Sequence, residues 1–210
     1  MKEIEVLYLE DKDLIVPTQG YEGDFGIDIY TSEGCLVPHS TFKSVVIPTN
    51  LRVAFDPFEA GMLASLRSGI ACNTPLVLSN GVGVIEGNYR GEIGVILRNT
   101  FADNSLVDFV MDVKGNRIPL NQIPSPVKKA AREFFVEETE MLGYPSVEEG
   151  NGKQVFKKVV PRGTIYVPKG TRLVQIFFAD KIVAKLKPSK DLPPSNRGER
   201  GRGSSGVEKK

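Results

Sequence analysis

Apolar and polar residues alternate in short runs through the first hundred positions. Residues 5–9, 43–48, 51–54, 61–66 and 93–97 are short β-prone runs, several of which alternate, and Gly, Pro and Asn break the chain between them. A period of two marks a strand with one buried face. Many short strands at modest spacing predict an all-β sandwich or jelly roll. The pattern changes over residues 101–162. There Ser125 suits a helix N-cap and Pro126 the first helical position. Val127, Ala131, Phe134, Phe135, Met141 and Leu142 then recur at helical spacing, and Gly143 is a natural stop. Strands resume at 164–167, 173–178 and 182–186. The expected organisation is a discontinuous β-domain (residues 1–100 and 163–187), an insertion with one helix (101–162) and a flexible tail (188–210). The tail is rich in Pro, Lys, Gly, Arg and Ser and cannot bury enough apolar surface to fold alone.

Charge and length narrow the function. A chain of 210 residues suits one domain with an insertion. Lys and Arg number 27 against 26 Asp and Glu, so no whole-chain electrostatic case for nucleic-acid binding exists. No apolar run is long enough to span a bilayer. The first residues, Met1-Lys2-Glu3-Ile4-Glu5-Val6, do not read as a secretory signal. A cytoplasmic setting is expected, with Cys35 and Cys72 as reduced core thiols. His39 is the single histidine, which argues against a zinc site or a Ser-His-Asp triad.

Four clusters carry candidate chemistry. In Ser65-Leu66-Arg67-Ser68-Gly69-Ile70-Ala71, Arg offers a charged fork, Ser a hydroxyl and Gly a close backbone approach, a set suited to polyphosphate. An ordinary turn has the same composition. The segment Asn80-Gly81-Val82-Gly83-Val84-Ile85-Glu86-Gly87-Asn88-Tyr89-Arg90-Gly91-Glu92 predicts a β-hairpin. Its tip is either a plain surface turn with a packed Tyr or a reader of a small flat base. Lys169-Gly170-Thr171-Arg172-Leu173-Val174-Gln175-Ile176 reads as a turn entering a core strand, on which Gln175 is the polar exception. The stretch Arg197-Gly198-Glu199-Arg200-Gly201-Arg202-Gly203-Ser204-Ser205-Gly206 suits either a phosphate wrap or an Arg-Gly tail that binds RNA nonspecifically.

The order and spacing of these clusters, with Gly26-Ile27-Asp28-Ile29-Tyr30 upstream, resemble the five motifs of the trimeric dUTPase family. The resemblance covers the chain before residue 101 and after about 162. It implies a jelly-roll-like β-barrel assembled as a homotrimer, with active sites shared between subunits. The implied activity is hydrolysis of dUTP to dUMP and pyrophosphate with Mg2+, by water attack on the α-phosphorus. Asp28 then matches the residue that places the metal through water. Arg67, Ser68, Gly69 and Gln175 match phosphate contacts, and Asn80, Gly83 and Gly94 fall where backbone groups read uracil. Tyr89 matches the ring that stacks on deoxyribose and leaves no room for a 2′-hydroxyl. Arg197, Ser204 and Ser205 match tail residues that grip the terminal phosphate.

The chain departs from the family pattern at four positions. Glu86 occupies the general-base position where the family almost always has Asp, and its extra methylene shifts the carboxylate by about 1.5 Å. Arg202 replaces the usual tail Phe, and its guanidinium can also lie flat on a base. Leu66 stands for Pro, and Thr171 for Asp. Three alternatives follow: a triphosphatase for dTTP or a 5-substituted deoxyuridine nucleotide, a weakly catalytic nucleotide-binding regulator, and dCTP deaminase on the shared fold. Deamination needs a Glu where this chain has Ile96. Residues 103–158 are either a decoration packed on the barrel or the contact for a protein partner.

Overall fold

The computed structural model describes residues 3–39, 41–103, 105–144 and 154–196. A four-stranded antiparallel sheet organises the barrel. Its strands run in the order Ile27–Tyr30, Arg172–Asp180, Ala60–Leu66 and Gly83–Ile85. Pairing of Gln175 with both Asp28 and Ser65 sets its register. Opposite it lies a three-stranded sheet of Val45–Ile47, Val95–Asn99 and Leu76–Leu78. Alternation does the sorting: Met62, Ala64, Val174 and Ile176 turn inward with Ile47, Val95 and Leu97, and all are buried in one apolar core. At about 25 cal/mol per Å² of apolar surface removed from water, such inward rows are the main stabilising term.

Residues 101–162 hold more than the one expected helix. Phe109–Asp112 pairs antiparallel with Arg117–Pro119 and parallel with Ile165–Val167, which pairs in turn with Cys35–Val37. The segment therefore extends a barrel sheet. A short helix α1 spans Ser68–Asn73, and the long helix α2 spans Ser125–Met141. α2 starts at Ser125 itself, with Pro124 as the flanking residue and no side-chain cap. It stops as expected: Gly143 takes a left-handed φ of 70° and donates to the Glu140 carbonyl. α2 covers a second apolar cluster in which Leu36 of the barrel meets Val110, Leu120, Ala131 and Phe156.

Several expectations change in the structure. The 182–186 run forms no ladder among the described residues, and Ile182 and Leu186 are 88% and 95% exposed. Cys72 is an exposed thiol on α1 rather than a core residue, while Cys35 is half-buried and burial pushes its pKa up to about 12. Among the described residues no helix is long and apolar enough to cross a membrane.

Candidate active site

The predicted hairpin is not a paired hairpin. Its first arm, Gly83–Ile85, pairs with Ala60–Leu66, and its second arm joins the opposite sheet through Val95–Asn99. The arms are pulled apart because each has a better apolar partner elsewhere. Between them opens a cleft of about 280 Å³ whose lining includes Asn80, Gly83, Glu86, Tyr89, Gly94 and Ile96. Gly83–Ile85 is an edge strand, so its outer row of backbone groups has no ladder partner among the described residues. Such a row can read the donors and acceptors of a flat base.

Hydrogen bonds and close packing stiffen this loop. Tyr89 N–H donates to the Glu86 carbonyl at 2.9 Å, closing a turn at the tip. The Arg90 guanidinium donates to the Gly87 carbonyl at 2.7 Å and the Tyr89 carbonyl at 3.0 Å. The Tyr89 hydroxyl donates to the Glu92 carbonyl at 3.2 Å, and its ring lies over Gly91 where any Cβ would collide. Glu92 anchors the second arm: its Oε1 accepts from Thr49 N–H and Asn50 N–H, each at 2.8 Å. Asn50 holds a left-handed φ of 55°, and this carboxylate ties that turn to the cleft. Gly94 lies close to its neighbour strand: a Cβ there would stand 2.5 Å from Cγ1 of the exposed Val46, which would have to turn aside.

A second cleft, about 780 Å³, lies on the outer face of the four-stranded sheet and collects Asp28, Ser65, Arg67, Arg172 and Gln175. Asp28 is only 3% exposed and forms ion pairs with Arg67 and, at 3.5 Å, with Arg172. Two guanidiniums held by one buried carboxylate make a preorganised fork for phosphate oxygens. Ser68 and Gly69 are exposed at the start of α1, directly after Arg67. Gly26 packs under Gln175, where a Cβ would meet Oε1 at 2.9 Å.

Arg172 and Ser65 were not among the expected site residues. Ser65 follows from alternation, two positions before Arg67. Arg172 does not, because three residues before Gln175 it should face the core. A bulge between Arg172 and Val174 turns it to the side of Asp28. Glu92, whose role is to hold a turn, was also missed.

Consecutive residues divide between the clefts. Ala64 and Val174 line the first, Ser65 and Gln175 the second. Glu86 follows Ile85, which pairs with Met62, and Arg67 lies five residues further along that strand. At about 3.3 Å per residue this is roughly 17 Å. Glu86 and Arg67 of one chain are therefore not brought together. Arg197, Arg202, Ser204 and Ser205 lie outside the described residues.

The residues present do not build a resident metal cage. Among the described residues no group of three or more His, Cys, Asp or Glu could hold an ion. Asp28 already faces two arginines. The outer cleft fits a magnesium ion that arrives on a polyphosphate, since magnesium keeps several waters and favours phosphate oxygens.

The chain folds as a jelly-roll-like β-barrel with an open slot between two strands and a separate arginine cleft. Comparison with known proteins agrees. The dUTPase family model matches residues 12–109. The deoxyuridine 5'-triphosphate nucleotidohydrolase of Clostridium kluyveri is 31% identical over 114 residues, covering 54% of this chain and 78% of that one. The Picosynechococcus relative of the same name is 40% identical over 86 residues, 40% of this chain and 58% of its own length. The chain spans little more than half the length of several such relatives, between 52% and 58%. In fold it resembles a mutant dUTPase of Staphylococcus bacteriophage 80alpha solved with dUpNHpp, with a TM-score of 0.70 and 22% identity over 99% of this chain and 100% of that one. The chain belongs to the dUTPase family.

Proposed function

We propose that this chain hydrolyses dUTP to dUMP and pyrophosphate, and the splayed loop carrying Glu86 and Tyr89 is the observation that carries the reading. The free backbone edge of Gly83–Ile85 reads the uracil, and Tyr89 packs on the sugar. Water attacks the α-phosphorus, Glu86 takes its proton, and the bond to the bridging oxygen breaks to release pyrophosphate. Arg67, Arg172 and Gln175 hold the phosphates. Bound magnesium would supply charge neutralisation on the phosphate oxygens, with Asp28 reaching it through a water.

The separation of Glu86 from Arg67 supports a site completed by other copies of the chain. A water held by one and an oxygen held by the other would lie further apart than adjacent groups of one triphosphate. A homotrimer, as the family resemblance implies, would bring the two clefts of different copies together. The strand Val95–Asn99 carries no acid, and Ile96 lines the slot, which favours hydrolysis over deamination. A protein partner for residues 103–158 draws support from the exposed Met141, Leu142 and Tyr144 near the end of α2. A charged triphosphate does not cross a bilayer unaided, so a cytoplasmic setting goes with this reading.

Pyrophosphate release from dUTP, dTTP, dCTP and UTP with magnesium tests the proposal. dUTP should be the preferred substrate and UTP the poorest. Preference for dTTP would redirect the reading to a 5-substituted substrate. Absence of pyrophosphate from every deoxyuridine-class nucleotide refutes it, and ammonia from dCTP would replace it with deamination.

A further inference from the structure

The loop beneath Glu86 is pressed against the barrel at one point. Gly87 is buried, and a Cβ built on it would stand 2.5 Å from the Phe55 carbonyl oxygen and 2.9 Å from two Phe55 ring carbons. Phe55 is itself buried at 6% exposure, its ring edge-on to Phe178 at 5.4 Å, so it has little room to yield. Phe55 N–H donates to the Gly87 carbonyl at 3.4 Å, and the Arg90 guanidinium donates to the same oxygen at 2.7 Å. Gly87 does not have a left-handed φ. Its lack of a side chain serves close approach, not freedom of movement. Burial alternates along this stretch: Ile85 and Gly87 face inward, Val84, Glu86 and Asn88 outward. Glu86 is exposed and lines the cleft while its neighbour Gly87 is buried against Phe55, so the Glu86 side chain leads away from that contact.

We infer that Gly87 is a positioning residue for Glu86: its contact with Phe55 fixes how deep the backbone sits, and the length of the Glu86 side chain matches that depth. The inference rests on Glu86 as the proton acceptor. A Cβ at position 87 must retreat to at least 3.4 Å for ordinary contact. That carries the backbone outward by about 1 Å, and the Glu86 carboxylate with it. Replacing Glu by Asp withdraws the carboxylate by about 1.5 Å, one C–C bond. The two changes act in opposite directions along one line, so each alone misplaces the base and together they nearly cancel.

The test is a double-mutant cycle on the full chain, with kcat and KM for dUTP, Kd for a non-hydrolysable dUTP analogue and thermal melting. A misplacement on the order of 1 Å costs roughly a hundredfold in rate. Gly87→Ala and Glu86→Asp should therefore each lower kcat by about a hundredfold with analogue affinity held within a factor of about three. Glu86→Asp in the Gly87→Ala background should raise kcat at least about tenfold above Gly87→Ala alone. A structural role alone cannot produce that rescue, because shortening the base would only add to the damage. Multiplicative losses in the double variant overturn the inference. If Gly87→Ala does not fold, Glu86→Asp alone decides: a pinned backbone cannot follow the shorter side chain, so undiminished kcat overturns it and a large loss at unchanged analogue affinity supports it. A wild-type chain with no turnover of any deoxyuridine-class triphosphate overturns the reading of Glu86 itself, an outcome distinct from failure of the cycle.

Discussion

Removal of the Glu92 carboxylate should loosen the slot and destabilise the chain together. In Glu92→Ala, Thr49 N–H and Asn50 N–H both lose the oxygen that accepts from them at 2.8 Å. Thr49 is 1% exposed, so its N–H cannot turn to water without opening the turn. A hydrogen bond to a charged group contributes about 1.5–3 kcal/mol. Glu92 is itself half-buried, which places the sum for both bonds near the lower end, at about 3 kcal/mol. For a chain of this size about 1 kcal/mol moves Tm by roughly 2–4 °C, giving a fall of about 6–12 °C. Glu92→Gln keeps a carbonyl acceptor and should lose about 1 kcal/mol. The second arm also carries Ile93 N–H to the Leu51 carbonyl at 2.8 Å, so a loosened turn propagates into the slot and raises KM for dUTP. Calorimetric melting of both variants, with KM measured below the transition, checks the chain of reasoning. An alanine variant melting within about 1 °C of wild type would show that the turn holds itself.

Other outcomes follow from the same geometry. Arg172→Ala should weaken triphosphate binding about tenfold to a hundredfold, the loss of one charge-assisted contact, while deoxyuridine affinity stays unchanged in calorimetric titration. Glu138→Ala removes the buried carboxylate that accepts from Lys43 N–H at 2.6 Å and should cost about 1–3 kcal/mol in denaturant melts. Burial raises the Cys35 thiol from 9.0 to about 12, so the folded chain holds that proton more tightly than the unfolded chain. Its contribution to stability is therefore complete below pH 9.0 and is lost as pH rises towards 12, which melts across that range detect against a Cys35→Ala control. A thiol reagent should modify the exposed Cys72 quickly and Cys35 only after unfolding.

The longest strands were legible, but short ones such as Cys35–Val37 and Leu76–Leu78 were not, and the expected run at 5–9 forms only the exposed two-residue strand Leu7–Tyr8. Residues 61–66 and 173–178 alternate because the core takes every second side chain, and the ladders lie there with ends displaced by a residue or two. The loop around Glu86 was legible as a turn-flanked apolar run but not as an open slot. Whether its arms pair with each other depends on Met62 and Val46, which lie far away in sequence. From sequence Gly87 is simply one glycine of a turn-flanked run beside Glu86. Only the approach of Phe55 shows that it is a point of contact. Arg172 was hidden by a bulge, since a single extra residue reverses every inference from alternation. In residues 101–162 the helix announces itself by period and stop signal. The strands Phe109–Asp112 and Arg117–Pro119 are too short and too dependent on outside partners to do so.

The parallel seam between Phe109–Asp112 and Ile165–Val167 bears on how this chain can be trimmed or regrafted. Cutting away the intervening stretch would not leave a tidy scar. It would bare the flank of Ile165–Val167 and strip the cover from Leu36, offering neighbouring molecules a sticky margin to add onto. Minimised versions of the barrel will accordingly need a charged or proline-bearing margin at Ile165–Val167 to remain dispersed in concentrated solution.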